Sequence, residues 1–188
     1  VKQPKVTIFP TGTEIIEPGD AITEGSIIES NTRMFEQMVL EQGGLAERRS
    51  ILEDDCEKIR DEVKKAVAVS DMVLINAGSS AGRDDYTVHV LRELGEVLIH
   101  GVAIKPGKPV ILAVVDKKPV IGLPGYPVSA YIAFENFVAP VLAMMGQLPV
   151  RVDYEVEAVI SRRLVSSLKH KEYVRVKAGV VGDRMVAA

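Results

Sequence analysis

The sequence contains very little cysteine and few aromatic residues. Among 188 residues, Cys56 is the only cysteine, tryptophan is absent, and aromatic residues make up 5%. A single cysteine excludes an intrachain disulfide and a cysteine-based zinc site. We expect Cys56 to be a small buried side chain on a helix. With few aromatic anchors and many valine, isoleucine and alanine residues, the composition favours an α/β protein over a β-sandwich.

An excess of positive charge is also missing. The formal net charge is −3 at pH 7. Proteins that bind nucleic acids usually present a basic face to the phosphates. Nucleic acid is therefore not expected as a partner of this chain.

Targeting and membrane-spanning signals are absent as well. Residues 1–10 lack a basic start followed by a long apolar run, so no signal peptide is predicted. The most apolar stretch, 127–145, is interrupted by Glu135, Asn136 and Pro140, and is not predicted to span a membrane. A cytoplasmic protein is expected. Because the chain begins with valine and its first residues resemble a linker, we expect it to be a piece of a longer protein.

Several common catalytic motifs are not found. There is no Gly-x-x-x-x-Gly-Lys-[Ser/Thr] loop and no Gly-x-Gly-x-x-Gly fingerprint, which argues against an ATPase and against dinucleotide binding. Ser79, Ser80 and Ser129 do not form a Gly-x-Ser-x-Gly elbow, so a hydrolase triad is not expected. The three histidines are far apart and show no metal-ligand spacing.

What the sequence does contain is an alternation of strands and helices. Short strands rich in apolar residues are predicted at 5–9, 45–51, 72–75, 97–103, 110–115 and 119–123. Amphipathic helices are predicted to begin near residues 31, 54, 86 and 127, and residues 14–30 are predicted to be an extended loop. This alternation predicts a doubly wound α/β sheet.

Two helix starts carry capping signals. Asn31 is predicted to cap the first helix, because a side-chain oxygen at this position can accept a free backbone N–H. Asp54, with Glu57 three residues later, resembles a capping box.

The pattern changes after Gly146. Polar and apolar residues alternate at 150–160 and again at 173–176, which predicts antiparallel β structure. We therefore predict two units, an α/β domain at residues 1–147 and a partial β domain at residues 148–188.

Three glycine-containing loops each follow a predicted strand. They are Thr11-Gly12-Thr13, Gly78-Ser79-Ser80-Ala81-Gly82 and Gly122-Leu123-Pro124-Gly125. In open α/β sheets the ligand crevice lies at the carboxyl ends of the strands. Backbone N–H groups at helix starts favour phosphate or another oxyanion there. A single loop is also explained as a simple turn, but three at one edge predict an anion-binding crevice.

Charged side chains lie close to these loops in the sequence. Lys105 and Lys108 flank a Pro-Gly turn, and they are either oxyanion ligands or two solvated lysines. Asp84 and Asp85 are at a predicted helix start, where one carboxylate can cap the helix and the other is free for Mg²⁺. Glu14, just after the first glycine turn, would add a third carboxylate at the same edge.

Five sequence blocks together resemble the central domain of the molybdenum-insertion enzymes of molybdenum cofactor synthesis, the MoeA and gephyrin E-domain family. They follow the family's order across residues 5–145: Pro-Thr-Gly-Thr-Glu at 10–14, Ser-Asn-Thr-Arg at 30–33, Asn-Ala-Gly-Ser-Ser-Ala-Gly-Arg-Asp-Asp-Tyr-Thr at 76–87, Ile-Lys-Pro-Gly-Lys-Pro at 104–109, and Gly-Leu-Pro-Gly-Tyr-Pro-Val-Ser-Ala at 122–130.

The resemblance implies a three-layer αβα fold with a mostly parallel sheet. It also implies transfer of molybdate to adenylylated molybdopterin with release of AMP, a requirement for Mg²⁺, and a homodimer or another homo-oligomer. Asp85 matches the acid of the family's Gly-Glu-x-Asp-Tyr motif and Glu14 that of Thr-Gly-x-Glu. Both are implied in catalysis and, with Asp84, in metal binding. The residues implied in binding the substrates are Thr11, Gly12, Thr13, Ser30, Asn31, Gly78, Ser79, Ser80, Gly82, Lys105, Gly107, Lys108, Pro124, Gly125 and Ser129.

The chain departs from the family pattern in two places. Ala77-Gly78-Ser79-Ser80 stands where many members have Gly-Gly-Val-Ser, and Arg83 stands where many have Glu. Two other functions therefore stay open. One is the related adenylyltransferase, which loads AMP onto molybdopterin, although its usual Gly-Gly-Thr-Gly loop is missing here. The other is a non-catalytic module that binds molybdopterin or molybdate, with which the positive charge of Arg83 is compatible.

Overall fold

Strands and helices alternate along most of the chain in the computed structural model, which describes residues 3–77, 86–149, 155–166 and 169–188. The strands are β1 (Lys5–Thr11), β2 (Ile15–Ile16), β3 (Ile27–Ile28), β4 (Leu45–Arg48), β5 (Met72–Ala77), β6 (Glu96–His100), β7 (Ile104–Lys105), β8 (Ile111–Val115), β9 (Lys118–Leu123), β10 (Val159–Ile160), β11 (Lys171–Glu172), β12 (Ala178–Val181) and β13 (Arg184–Ala187). The helices are α1 (Asn31–Glu41), α2 (Cys56–Val69), α3 (Tyr86–Leu94), α4 (Pro127–Ala133) and α5 (Ala139–Gly146), and a π-helical turn (Phe134–Val138) joins the last two.

Among the described residues, six strands form the central sheet, in the order β4-β1-β5-β9-β8-β6. Strands β4, β1, β5 and β9 run parallel, whereas β8 is antiparallel to both of its neighbours. The predicted mostly parallel α/β sheet is thus confirmed. From β1 the chain crosses through α1 toward β4, and from β5 it crosses through α3 toward the opposite edge. The chain therefore adds strands in opposite directions from β1 and from β5. Open α/β sheets form a ligand crevice at such a reversal.

Helices cover both faces of this sheet and give three layers. On one face, α1 packs beside the π-helical turn, with the rings of Phe35 and Phe134 stacked at a centroid distance of 5.8 Å. On the other face, α2 and α3 bury Ile59 and Leu91. The side chains of residues 72–75 are fully buried between the two layers, as their continuous apolar run predicted.

The start of α1 differs from the prediction. Ser30 is at the N-cap position without a side-chain bond, and Asn31 is the first helical residue. The cap is supplied by Glu29, whose carboxylate accepts the Thr32 N–H at 2.6 Å and the Thr32 hydroxyl at 2.8 Å. The predicted cap by Asn31 is therefore wrong, because the buried carboxylate of Glu29 already satisfies the helix start and leaves the Asn31 amide free for other partners.

The cap of α2 is also shifted by one residue. Asp55, and not Asp54, is the N-cap, and its carboxylate accepts the N–H groups of Glu57 and Lys58, each at 2.9 Å. Cys56, which we expected to be buried, is half-buried at the first helical position. Asp54 is consequently outside the helix and can contact the end of β1.

The long apolar helix near the carboxyl end of the domain is a core helix. By length and composition Pro127–Gly146 is the one segment within the described ranges that would suit a membrane span. The side chains of Phe134, Val138 and Leu142 are buried in the cluster that covers one face of the sheet, whereas those of Val128, Tyr131 and Met144 are exposed.

The last part of the chain has less strand structure than its pattern predicted. β10, β13 and β12 form a small sheet in which β12 and β13 are antiparallel and β10 is parallel to β13. The strand predicted at 173–176 is wrong, because these residues do not form a strand and the side chains of Val174 and Val176 are exposed. Strand β11 precedes this segment and pairs with β7. The domain boundary at residue 147 stays a prediction.

Candidate functional site

Three strand ends lie side by side at the carboxyl edge of the sheet. The register aligns Thr11 of β1 with Ala77 of β5, and Asn76 of β5 with Leu123 of β9. The first and third glycine-containing loops continue from these ends. They consequently lie along one edge, as their positions in the sequence predicted.

The second glycine loop and the two aspartates before α3 belong to a segment outside the described ranges, residues 78–85. This segment includes the following predicted site residues: Gly78, Ser79, Ser80, Gly82, Asp84 and Asp85. Their roles, and the effect of Arg83 beside them, stay predictions.

Two asparagines connect the ends of β5 and β9 with the start of α1. Asn76 donates from Nδ2 to the carbonyl oxygen of Pro124 at 2.8 Å and, more weakly, to that of Leu123 at 3.4 Å. Asn31 donates from Nδ2 to Asn76 Oδ1 at 3.1 Å and to the Gly125 carbonyl at 2.6 Å. Asn31 is 6% exposed and Asn76 is 3% exposed. This buried network fixes three chain segments at the centre of the edge.

The same network leaves one buried hydrogen-bond acceptor, Asn31 Oδ1, without a donor among the described residues. Both partners of Asn31 Nδ2 are oxygen atoms, so the amide orientation is set by the hydrogen bonds themselves. Asn31 Oδ1 then has no hydrogen-bond partner among the described residues, although it is shielded from solvent. A buried acceptor without a donor is unfavourable, and at this place it suits a ligand N–H or O–H group.

Replacing Asn76 with alanine is expected to destabilise the protein by about 2–3 kcal/mol, because it removes the link to Asn31 and leaves buried polar groups unpaired. Urea unfolding followed by circular dichroism would measure this loss. Gln37→Ala is the control, since it removes an exposed hydrogen bond to Glu41 on the surface of α1. Equal midpoints for the two variants would contradict the structural role of Asn76.

A second cluster lies at the end of β1. The Asp54 carboxylate accepts hydrogen bonds from the Thr11 hydroxyl and the Thr13 N–H, and the charge of Glu14 is nearby. Asp54 is exposed overall, but partial loss of water around its carboxylate, together with Glu14, raises the pKa of Asp54 above its ordinary value, while the two hydrogen bonds oppose this shift. Two carboxylates thus repel each other at the switch point of the sheet.

Gly12 makes this cluster possible. Its N–H donates to the Leu52 carbonyl at 3.0 Å, which holds the chain before α2 against the end of β1. A Cβ atom on Gly12 would lie 2.7 Å from Cδ1 of Ile15 and 3.3 Å from Oε2 of Glu14. A side chain at this position would therefore displace the residues that bring Asp54 and Glu14 together.

The lysine turn, residues 105–108, is at the same edge of the sheet. It precedes β8, whose Ile111 pairs with Gly122 of β9. Gly107 has a φ of +109°, and a Cβ there would meet Ile104 Cδ1 at 2.9 Å and the Ser129 carbonyl at 3.4 Å, so the turn contacts α4.

The two lysine side chains of this turn are exposed to solvent. Lys105 Nζ is 3.8 Å from Oε1 of Glu172. The turn therefore presents positive charge near the start of α4, next to the segment that follows β9.

The described site residues thus form two groups. Those near the strand ends are Thr11, Gly12, Thr13, Glu14, Ser30, Asn31, Pro124 and Gly125. Those at the lysine turn are Lys105, Gly107, Lys108 and Ser129. Within the described ranges, the predicted metal residue Glu14 is not part of a cluster of three or more histidine, cysteine or acidic residues that could hold a metal ion.

Sequence reasoning missed three residues of this site. Asp54 was interpreted as a helix cap, although Asp55 beside it offers the same capping chemistry. Asn76 is a polar residue directly after a fully apolar run, which is a signal for a buried functional group. Glu29 gave no clear signal, because a glutamate three residues before its hydrogen-bond partner is common on surfaces.

Comparison with known proteins identifies similar sequences and structures. A family model described as "Probable molybdopterin binding domain" matches residues 7–144. A protein of Methanocaldococcus jannaschii named for molybdopterin biosynthesis is 34% identical over 181 residues, which cover 92% of this chain and 44% of that protein. The molybdopterin molybdenumtransferase of a Nostoc species is 32% identical over 151 residues, 78% of this chain and 35% of the enzyme.

A solved structure agrees with these similarities. The molybdopterin biosynthesis MoeA protein from Pyrococcus horikoshii superimposes with a TM-score of 0.82 at 36% identity, covering 99% of this chain and 45% of that protein. The chain therefore spans less than half the length of these three relatives.

Proposed function

The chain belongs to the molybdopterin-binding domain family, and we propose that it acts in molybdenum cofactor biosynthesis as the substrate-binding core of a molybdopterin molybdenumtransferase. In this proposal it binds adenylylated molybdopterin at the carboxyl edge of its sheet. Molybdate is then inserted and AMP released in a reaction that requires Mg²⁺. The observation that carries the proposal is the pair of carboxylates, Glu14 and Asp54, at the switch point.

The residues present suit Mg²⁺. This ion is usually held by one or two carboxylates together with substrate phosphates, and Glu14 and Asp54 supply two carboxylates whose mutual repulsion a cation would relieve. When bound, Mg²⁺ neutralises charge that develops on a phosphoanhydride as it is cleaved. Asp84 and Asp85 are proposed as further ligands on the basis of the sequence alone.

The other side chains of the edge have separate roles in the proposal. Asn31 Oδ1 accepts a hydrogen bond from an N–H group of the pterin, since it has no partner among the residues described. The Thr11 hydroxyl and the Thr13 N–H hold the Asp54 carboxylate in place. Lys105 and Lys108 attract the molybdate dianion at the neighbouring turn. A homodimer or another homo-oligomer is proposed from the family, and light scattering after gel filtration would measure it.

The substrate itself provides the direct test. Calorimetric titration of the chain with adenylylated molybdopterin, with and without Mg²⁺, measures binding, and AMP is quantified after molybdate is added. Metal-dependent binding followed by AMP release supports the molybdenumtransferase. Binding without release points to a binding module or to missing parts of the longer protein, and transfer of AMP from ATP to molybdopterin would indicate the adenylyltransferase.

Removing both lysines of the turn is expected to weaken molybdate binding about tenfold or more, and to reduce its dependence on salt, because two positive charges are lost. Calorimetry of the Lys105→Ala, Lys108→Ala double variant would measure this. The double variant Lys64→Ala, Lys65→Ala is the matched control, since it removes the same charge from exposed positions on α2. If both double variants bind molybdate equally, the two lysines are solvated surface residues.

A further inference from the structure

We propose that Glu172 is an internal counter-ion of Lys105 that a bound oxyanion displaces, so that Glu172 sets the anion affinity of the lysine turn. The inference rests on the proposed function, because it takes Lys105 as an oxyanion ligand. It adds a residue that sets the affinity for oxyanions, from a segment far along the chain from the strand ends.

The backbone places Glu172 opposite Lys105. Strand β11 pairs with β7 in parallel, with Lys171 aligned to Ile104 and Glu172 to Lys105. The Lys171 N–H donates to the Ala103 carbonyl and the Tyr173 N–H to the Lys105 carbonyl, both at 2.8 Å. Two backbone hydrogen bonds thus hold the segment on each side of Glu172, and its carboxylate is 3.8 Å from Lys105 Nζ.

A side-chain contact anchors this segment to the core helix. The Tyr173 hydroxyl donates to Asn136 Oδ1 at 2.5 Å. Asn136 itself donates from Nδ2 to the Ile132 carbonyl at 2.7 Å, which sets the orientation of its amide. The Lys171 ammonium also lies 5.0 Å from the centre of the Tyr173 ring. Glu172 is therefore on a strand fixed at both neighbouring residues.

The side chains of Lys105 and Glu172 differ in their exposure to solvent. The side chain of Lys105 is 66% exposed, whereas that of Glu172 is 15% exposed. An incoming dianion can draw the flexible lysine toward itself, but the carboxylate stays close by and repels the dianion. The turn consequently binds free tetrahedral oxyanions less tightly than two unopposed lysines would. Selection among these anions is then left to contacts at the strand ends.

Neutralising this carboxylate tests the inference. Glu172→Gln keeps the shape of the side chain and removes its charge, so molybdate should bind about three- to tenfold more tightly by calorimetry at low salt, with a smaller gain at high salt. Glu157→Gln is the control, because it removes an exposed carboxylate from the same part of the chain. Thermal melts of both variants would confirm that they are folded.

The possible outcomes separate this inference from the proposed function. Unchanged or weaker molybdate binding by Glu172→Gln, while Lys105→Ala weakens binding, overturns the counter-ion role alone. Unchanged binding by Lys105→Ala overturns both this inference and the role of the lysine turn. The wild-type chain could bind molybdate too weakly to measure. In that case, measurable molybdate binding by Glu172→Gln supports the inference. No measurable molybdate binding by either protein overturns it.

Discussion

Replacing Asp54 with asparagine is expected to reduce Mg²⁺-dependent AMP release by about 100-fold or more without unfolding the protein. The variant loses one of the two carboxylates that the proposal assigns to the metal. The amide oxygen of asparagine can still accept the hydrogen bonds that Thr11 and Thr13 donate to this position. The rate of AMP release at saturating Mg²⁺, and the Mg²⁺ concentration that gives half of the maximal rate, would both be measured.

The neighbouring aspartate offers a matched control. Asp55→Asn makes the same chemical change one residue away, where asparagine can still cap α2. Its rate of AMP release should stay within about twofold of the wild-type rate. Equal rates for Asp54→Asn and the wild-type protein would remove Asp54 from the mechanism.

The same variant should change the pH dependence of stability. Because burial and Glu14 raise the pKa of Asp54, the folded protein binds more protons than the unfolded chain just above pH 3.8. The contribution of the Asp54 carboxyl to stability therefore falls as the pH rises from its ordinary pKa to its raised pKa in the folded protein. Asp54→Asn should be slightly more stable than wild type near pH 7, and the difference should vanish below the ordinary pKa or when Mg²⁺ is added.

Adding a single methyl group at Gly95 is expected to destabilise the protein by about 3 kcal/mol or more. Gly95 follows α3, and the next residue pairs with Val114 of β8. A Cβ on Gly95 would lie 2.1 Å from the Val114 carbonyl oxygen and 3.1 Å from Val115 Cα. These are backbone atoms of the central sheet, so they cannot move aside as a side chain would.

Gly179→Ala is the control for this substitution. Gly179 is in β12, and a Cβ there meets no atom within 4 Å. Chemical unfolding of the two variants would compare their free energies of unfolding. A decrease of less than about 1 kcal/mol in the free energy of unfolding for Gly95→Ala would contradict the prediction. It would show that the chain after α3 can move away from β8 at little cost.

Most of the sheet and its helices could be predicted because their signals are local. The apolar run at 72–75 predicted a strand buried on both faces, and Pro127 predicted the start of α4. The order of the strands and the antiparallel direction of β8 were not predicted, because both depend on pairing between distant segments. The sequence also predicted that three glycine loops share one edge, and the two loops within the described residues do so.

The parts that could not be predicted depend on contacts between distant segments. Asn31 and Asp54 were assigned to helix caps because the sequence shows only neighbouring residues. Their real partners include Asn76 in one case and Thr11 in the other. The strand predicted at 173–176 failed for a related reason, since alternation of side chains forms a strand only where another strand is available.

The π-helical turn before α5 also predicts how the length of this helix can vary among relatives. Ala130, Phe134, Val138, Leu142 and Gly146 are four residues apart and buried. In a regular α-helix each such step rotates the side chain by about 40°, so the fifth position would be turned by about 160° from the first. The wider turn absorbs part of this rotation. A relative with one residue fewer between 134 and 138 should have a regular helix, and the position of Asn136 would no longer face Tyr173.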